Sequence, residues 1–305
     1  MLIDWIACTM PSGAPAVKEW IQTALTGPWQ TKDHALHPYT HTMFCGGVSV
    51  LTDAPNDESI HLIVNGSGCR ELEAAGIMED WHNFLARLLR AGAKFTRLDA
   101  AIDDYDGVLD MDDILDCCRE GRFVSSFKTI MPMEELDKIT GAVLGRMVTF
   151  GKRGSDSSIR IYDKSLEQRT SGCWIRVELQ NRDARAQALA VAIAKEGGDV
   201  VPSILLNCLD FKDLGPTDRR DRWPTTSRWS EFVGTHQRFQ LTTAPRSESI
   251  EKSHAWIMKQ VTRAFASVQD SGLYPNFSDD VLAAGRLKIE GRAAKSAPKL
   301  TAITS

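Results

Sequence analysis

Three segments in the middle of the chain place acidic, basic and phenolic side chains at alternate positions. These side chains are Arg97, Asp99 and Asp103 in the first segment, Arg160, Tyr162 and Lys164 in the second, and Arg176, Glu178 and Gln180 in the third. Carboxylates bind hard divalent cations, guanidinium and ammonium groups bind phosphate, and an activated phenol is an oxygen nucleophile. Brought together on one surface, these groups are suited to phosphoryl transfer.

A period of two is the spacing of side chains that share one face of a β-strand. In the first segment Leu98, Ala100 and Ile102 can face a core, and the other two segments alternate in the same way. If the three strands pair with their polar faces aligned, the reactive groups meet. The same alternation occurs where salt bridges cover the solvent-exposed face of an antiparallel sheet, so the pattern alone leaves both interpretations open.

The rest of the chain alternates between strand and helix patterns. Further strands are expected at residues 2–9, 45–51, 59–64 and 148–151, and helices at residues 12–25, 78–89, 108–119, 183–195, 200–211 and 247–268. We therefore expect an α+β protein with a curved, largely antiparallel sheet flanked by helices and a helical C-terminal portion. The predicted organisation is a main domain at residues 1–214, a helical extension at 215–285 packed on it, and a disordered tail at 286–305.

Composition and charge exclude several classes of protein. The 305 residues are 43% hydrophobic and 25% charged, as in ordinary soluble globular proteins. A net charge of -4 does not indicate a uniformly basic nucleic-acid binder, but residues 146–185 contain nine basic and five acidic residues. No apolar run reaches the length of a membrane span and the N-terminus lacks a basic signal-peptide start, which predicts a cytoplasmic protein. The seven cysteines form no C-x-x-C pair, which favours reduced core residues.

Other motifs carry weaker signals. His34, His37 and His41 lie in a loop without a cysteine partner, which favours solvated histidines over a metal site. Residues 65–68, Asn-Gly-Ser-Gly, lack the third glycine of a dinucleotide-binding loop and predict a turn. The sequence contains no Walker A loop and so does not support an intrinsic ATPase or helicase. The cations and tryptophans of residues 219–229 suit either a DNA surface or a linker packed on the sheet.

Four segments, in this order, resemble the replication initiation factor family of rolling-circle plasmids and filamentous phages. They are residues 97–104 (RLDAAIDD), 148–153 (VTFGKR) with Ser155, 159–164 (IRIYDK) and 176–180 (RVELQ). Residues 3–5 (IDW), residues 65–70 and a late helix with Trp256 support the resemblance, which extends over about residues 2–270.

The resemblance implies a metal-dependent DNA nicking and joining enzyme that uses a tyrosine. It implies the type without a His-hydrophobic-His metal motif, a triplet that this sequence does not contain. By position, Tyr162 would form a 5′-phosphotyrosine intermediate, and Asp99 and Glu178 would bind Mg²⁺ or Mn²⁺, with Asp103 as a further ligand candidate. Asp99 and Asp103 are four strand positions apart, about 13 Å, so both reach one ion only if the strand bends.

A phenol has a reference pKa near 10, so it needs activation to act as a nucleophile. We expect Arg160, Lys164 and Arg176 to favour the phenolate of Tyr162 and to hold the phosphate. Tyr105 follows two aspartates, whose charge disfavours a phenolate, and a role at the strand end is expected for it. Tyr39 and Tyr274 lie in proline-containing loops without a carboxylate cluster.

The expected partner is origin DNA, single-stranded or as a hairpin at the nick, with a host helicase and polymerase as further candidates. A homodimer is left open, and no membrane is expected. Residues 1–214 would then be the catalytic nicking domain, acting in the cytoplasm of a bacterial host. The alternative is a non-catalytic DNA-binding replication or regulatory protein with the same fold. The presence of Tyr162 together with Asp99 and Glu178 favours the enzyme, because a binding protein does not need them.

Overall fold

The computed structural model describes residues 1–11, 19, 21–22, 25, 27–34, 36, 38–54, 59–75, 80–152, 154–234, 236–243, 254 and 257–296. The chain divides into two compact units, Met1–Ala244 and Pro245–Ser305. Most of the helix predicted at residues 12–25, and the first part of the helix predicted at 247–268, lie outside the described residues.

The first unit is built on a sheet of ten strands, and each of its strand pairings is antiparallel. Its strands are β1 (Leu2–Met10), β2 (Gln30–Lys32), β3 (His41–Cys45), β4 (Val48–Thr52), β5 (Ile60–Val64), β6 (Lys94–Asp104), β8 (Ile130–Leu136), β9 (Val143–Phe150), β10 (Ser157–Asp163) and β11 (Ile175–Arg182). Their order across the sheet is β2-β3-β4-β5-β1-β6-β11-β10-β9-β8. Two short strands, β7 (Phe123–Ser125) and β12 (Leu209–Phe211), pair separately.

Helices flank the sheet, which confirms the predicted α+β class. The helices of the first unit with described bounds are α1 (Gly66–Ala74), α2 (Trp81–Arg90), α3 (Met111–Glu120), α4 (Lys164–Gln168), α5 (Asp183–Glu196), α6 (Val200–Cys208) and α7 (Ser227–Val233). The second unit contains α8 (Thr262–Asp270) and α9 (Phe277–Ser296). No helix among the described residues has the length and apolar character needed to cross a membrane.

The hydrophobic core lies on the face of the sheet that α5 covers. Alternate residues of the central strands, such as Leu98 and Ala100 in β6 and Val177 in β11, are at most 1% exposed. Helix α5 packs on both strands and contributes Leu189 and Ile193, which are fully buried. The polar residues between these positions point to the opposite face of the sheet, where Asp99 and Glu178 are buried as well.

The turn predicted at residues 65–68 was wrong, because a helix begins there. The side chain of Asn65 caps α1 by accepting a hydrogen bond of 3.0 Å from the backbone N–H of Gly68. Gly68 lies so close to Gly47 that a Cβ atom would fall 2.5 Å from the Gly47 carbonyl oxygen. These glycines therefore allow α1 to pack closely against the β3–β4 turn, and they do not form a ligand-binding loop.

The domain boundary predicted at residue 214 falls inside the first unit. Residues beyond it pack on that unit: Trp229 of α7 is 1% exposed, and its ring lies 5.0 Å from that of Phe211 in β12. Within residues 219–229, Trp229 is therefore a packing residue, as one of the two predicted roles of this segment requires. Arg219 forms an ion pair with Asp221 at the surface. The helix predicted at 200–211 ends at Cys208, since residues 209–211 pair as β12.

The second unit is helical in its described part. A π-helical turn at Ile257–Val261 leads into α8, and the rings of Phe265 and Phe277 lie 4.9 Å apart between α8 and α9. Part of the tail predicted at 286–305 is helical, because α9 extends to Ser296. The remainder, residues 297–305, lies outside the described part of the chain.

We predict that Asn65→Ala lowers the free energy of unfolding by about 1 kcal/mol, because the N-cap of α1 is lost. Urea denaturation followed by circular dichroism measures this change. Asn65→Asp, which keeps an acceptor oxygen, is the matched control and should change stability by only a few tenths of a kcal/mol. Equal effects of the two substitutions would contradict the capping role.

Candidate active site

The register of β6, β11 and β10 brings the predicted polar residues onto one face in rows. Tyr162 lies opposite Arg176, which lies opposite Asp103. In the next row Arg160 lies opposite Glu178, and Gln180 lies opposite Asp99 in the row beyond. Directly opposed residues of antiparallel strands share a face, so the three segments with alternating polar residues form one continuous polar surface. We call it the polar face.

Glu178 lies at the centre of the polar face and is completely buried. Arg160 donates hydrogen bonds from Nη2 to both of its carboxylate oxygens, at 2.7 and 2.6 Å. The hydroxyl of Tyr162 donates to Glu178 Oε2 at 3.3 Å. The predicted nucleophile and one predicted acidic residue are therefore in direct contact.

Arg176 forms a second ionic cluster on the same face. Its Nε and Nη2 donate to the two oxygens of Asp103, at 2.6 and 2.8 Å, and its Nη1 donates to Asp4 Oδ1 at 2.8 Å. Asp4 comes from β1, where the register with β6 shifts between Ile3 and Trp5. Such a bulge redirects side chains, and here it accompanies the approach of Asp4 to Arg176.

Asp99 is held separately from Asp103, as their spacing along β6 requires. It accepts bonds from Arg97 Nε and Nη2, the shortest at 2.6 Å, and from Gln180 Nε2 at 3.1 Å. The guanidinium of Arg97 also lies 4.2 Å from the ring of Trp5, which is opposite Asp99 on β1. Asp99 and Asp103 thus lie in rows on either side of Glu178 and do not converge on one point.

The electrostatic environment opposes ionisation of the phenol. Burial and the negative charge of Glu178 raise the pKa of Tyr162 above its ordinary value of 10.0. Burial and repulsion by Asp99 likewise raise the pKa of Glu178, against the lowering effect of Arg160. Arg176 and Arg160 do lower the pKa of Tyr162, as expected of cations, but burial and the charge of Glu178 outweigh them.

The donor atoms of the polar face are of the type that a hard divalent cation prefers. Mg²⁺ commonly binds one or two protein carboxylates and completes its shell with water and substrate phosphate. Asp99 and Glu178, which are both buried and repel each other, fit that pattern. A cation there would compete with Arg97 and Arg160, and no three metal-binding side chains converge anywhere in the described ranges.

The other predicted residues occupy the edge of the polar face. Lys164 forms an ion pair with Glu167, and its Nζ lies 5.4 Å from the ring centre of Tyr162. Asp103 has both oxygens bonded to Arg176 and also accepts a bond of 3.1 Å from the Tyr105 hydroxyl. Of the three histidines that the sequence analysis considered as a metal site, His41 is exposed and contacts Asp33 and Asp53. His37 is not among the described residues.

Asp4 was not among the candidate site residues predicted from the sequence, and Arg97 was placed on the shared face without being given a role. Asp4 lies 172 positions from Arg176, and only pairing of β1 with β6 brings the two together. The alternation in β6 placed Arg97 on the polar face, so its position was predictable although its bidentate contact with Asp99 was not.

Models of two known families match consecutive parts of the chain. The model described as replication initiation factor matches residues 93–282, and the model described as rolling circle replication initiation protein N-terminal domain matches residues 1–87. The first match spans more than half of the chain and includes β6, β10 and β11.

Individual proteins agree with these matches. The chain is 28% identical over 239 residues to a protein described as a putative DNA relaxase, NicK, of Bacillus subtilis (strain 168). The aligned region covers 74% of this chain and 68% of that protein. Its fold is similar to the solved structure of a rolling circle replication initiator protein from Geobacillus stearothermophilus. That comparison has a TM-score of 0.68 and 26% sequence identity, and covers 80% of this chain and 98% of the other.

We predict that Arg176→Met lowers the free energy of unfolding by about 3–5 kcal/mol, because it leaves the carboxylate of Asp103 buried without its cation. Adding Asp103→Leu should recover part of the loss, and chemical denaturation of the two single variants and the double variant measures this coupling. Arg119→Met is the control, since its pair with Asp116 is more than half exposed and should matter little. Strict additivity of the two substitutions would contradict the pairing.

Proposed function

The chain belongs to the replication initiation factor family, and we propose that it cuts one DNA strand at a replication origin and later rejoins it. Tyr162 is the nucleophile in this proposal, and the intermediate is a 5′-phosphotyrosine. The observation that carries it is the contact between the Tyr162 hydroxyl and Glu178 Oε2 at 3.3 Å, on a face that also holds Arg160. The observed fold and family membership both agree with this role.

In the proposed reaction, Tyr162 Oη forms a bond to phosphorus while the bond from phosphorus to the 3′ oxygen breaks. The phenol proton passes to Glu178 Oε2, which is its hydrogen-bond acceptor. The 3′ oxygen takes up a proton from water and leaves as a hydroxyl, which a polymerase can extend. Rejoining is the reverse attack of a 3′ hydroxyl on the phosphotyrosine, and it needs no nucleotide because the phosphodiester linkage is conserved as an ester.

The raised pKa of Tyr162 explains why a proton acceptor in contact with the phenol is needed. A free phenolate is scarce at neutral pH, so the proton has to leave as the bond to phosphorus forms. Glu178 suits this task because it accepts the hydrogen bond of the phenol, and because burial raises its own pKa and so strengthens its affinity for the proton.

The cations differ in what they can offer to the DNA. The Arg160 side chain is 35% exposed, so it can contact a phosphate while it remains near Glu178. Arg176 is 5% exposed and bonded to Asp103 and Asp4. Its role in this proposal is therefore to hold the side chains of the polar face in position. Lys164, beside the Tyr162 ring, is the second candidate for phosphate contact.

We include Mg²⁺ or Mn²⁺ in the proposal, held by Asp99 and the second carboxylate oxygen of Glu178. When bound, such an ion would neutralise charge on the reacting phosphate. Asp103 is the weakest of the three ligand candidates, because Arg176 already occupies both of its oxygens. Asp99 would then bind the cation and, in its absence, anchor Arg97. Glu178 would bind the cation or anchor Arg160 in the same way, and it would also accept the phenol proton.

The proposed site is of the type that lacks a paired-histidine metal motif. Its substrate would be origin DNA, single-stranded or as a hairpin at the nick, and a host helicase and polymerase would act on the product. We place this activity in the cytoplasm of a bacterial host. The second candidate, a DNA-binding protein that does not cut, has no specific contact in its favour, since binding alone does not require a phenol in contact with a buried carboxylate.

We predict that Tyr162→Phe abolishes covalent attachment to a labelled single-stranded origin oligonucleotide and leaves binding within about 2-fold, because the hydroxyl supplies the nucleophile but few contacts. A denaturing gel measures the adduct, and fluorescence anisotropy measures binding.

Tyr39→Phe is the control for that experiment. It also removes a tyrosine hydroxyl with a hydrogen bond, in this case to Ser59 at 3.1 Å, away from the polar face. The control should form adduct at the normal rate. An adduct formed by Tyr162→Phe would refute the assignment of the nucleophile.

We also predict that Glu178→Gln slows adduct formation by about 100-fold or more, because the amide neither accepts the phenol proton nor binds a cation well. Chelation by EDTA should stop adduct formation by the wild-type protein, and added Mg²⁺ or Mn²⁺ should restore it. Thermal unfolding of the variant checks that the fold persists. Full activity in EDTA would argue for cleavage without a metal ion.

A further inference from the structure

Two aromatic side chains lie beside the polar face and take no part in the chemistry described above. Tyr105 follows the last residue of β6, and Trp174 precedes the first residue of β11. Their ring centres are 5.3 Å apart with an angle of 34° between the planes. Tyr105 is 61% exposed, so much of its ring is in contact with solvent. We call these two residues the aromatic pair.

The strand register places the aromatic pair next to the proposed nucleophile. Tyr162, Arg176 and Asp103 form one row across three strands, and the aromatic pair lies two residues farther along β6 and β11. Two strand positions correspond to about 7 Å, so the pair is near enough to contact a nucleotide adjacent to a phosphate at Tyr162. The backbone N–H of Lys164 also donates to the Trp174 carbonyl at 2.7 Å, which ties that end of β10 to the pair.

The exposed ring is held in a defined orientation. The Tyr105 hydroxyl donates to Asp103 Oδ2 at 3.1 Å, and Asp103 is in turn fixed by Arg176. The guanidinium carbon of Arg176 lies 5.7 Å from the Trp174 ring centre. A binding surface that is ordered in advance loses less conformational entropy when the ligand arrives.

We propose that the aromatic pair stacks a nucleobase of single-stranded DNA next to the phosphate that reacts at Tyr162, with Tyr105 in contact with the base and Trp174 supporting it. The proposal rests on the proposed function, since it takes DNA as the ligand. Aromatic rings next to cations are the usual surface for single strands, because bases stack on the rings while the cations bind phosphates.

The aromatic pair has acidic neighbours in sequence on the Tyr105 side and basic residues in the segment before Trp174, and basic residues can contact the phosphates of a nucleic acid. Arg160 and Lys164 are paired with Glu178 and Glu167, and Arg169 is exposed with no ion pair to another described residue. A single strand is required because a base within a duplex has both of its faces covered by stacking. Trp5, another aromatic residue of the polar face, already has Arg97 over its ring.

The test measures binding to two labelled strands of equal length in a protein that carries Tyr162→Phe and cannot cut. One strand is oligothymidylate, and the other consists only of abasic sites, so it keeps the phosphates without the bases. Tyr105→Ala should weaken binding of oligothymidylate by about 5- to 100-fold and leave binding of the abasic strand unchanged. Tyr105→Phe, which keeps the ring, should bind oligothymidylate within about 2-fold of the parent protein.

Tyr274→Ala is the matched control, because Tyr274 is 60% exposed but lies in the second unit, and it should bind both strands normally. The slope of affinity against salt concentration should also be the same with and without Tyr105, since the ring neutralises no phosphate.

Equal losses on both strands, no loss on either, or no binding of oligothymidylate by the parent protein would each overturn the inference. Cutting is assayed separately in protein with Tyr162 intact. A base-dependent loss without any covalent adduct would therefore uphold the aromatic pair while refuting the nicking activity.

Discussion

The polar face exists because every buried charge on it has a partner. A buried carboxylate or guanidinium is costly when unpaired, so four carboxylates and three arginines can share one surface of a sheet only if they neutralise one another. The carboxylates are those of Asp4, Asp99, Asp103 and Glu178, and the arginines are Arg97, Arg160 and Arg176. Register therefore matters more here than in an ordinary sheet, since a slip of one residue would separate each pair and bury the charges in the core.

The same pairing controls the reactivity of the phenol. Burial and the contact with Glu178 keep the phenol of Tyr162 protonated in this arrangement, so the proposed nucleophile still has to lose its proton. Arg160 is the least buried cation of the central rows, and it is the one bonded to Glu178. A phosphate that attracts Arg160 would weaken its hold on Glu178, and so the arrival of DNA and the activation of the site are physically linked in the proposed mechanism.

The fold separates this reactive surface from the part that supplies stability. Helix α5 covers the opposite face of β6 and β11, where side chains such as Leu98, Val177 and Leu189 are fully buried or nearly so. The aromatic pair and the bulge in β1 lie at the margins of the polar face, where the chain leaves the sheet or its pairing shifts. Side chains at such margins can be substituted without loss of the central pairing. Binding specificity is commonly located at positions of this kind.

The sequence by itself determined the strands that carry the site and the side chains on each of their faces, because a period of two leaves only one assignment of faces for β6, β10 and β11. Through the family resemblance it also predicted roles for Tyr162, Asp99 and Glu178, which stay predictions. Only the tertiary structure decided which charge pairs with which, since Asp4 reaches Arg176 through β1 and a bulge that no local pattern predicts. For the same reason the sequence did not predict the raised pKa of Tyr162. That pKa depends on the burial of the phenol and its contact with Glu178, which the fold decides and no single segment shows.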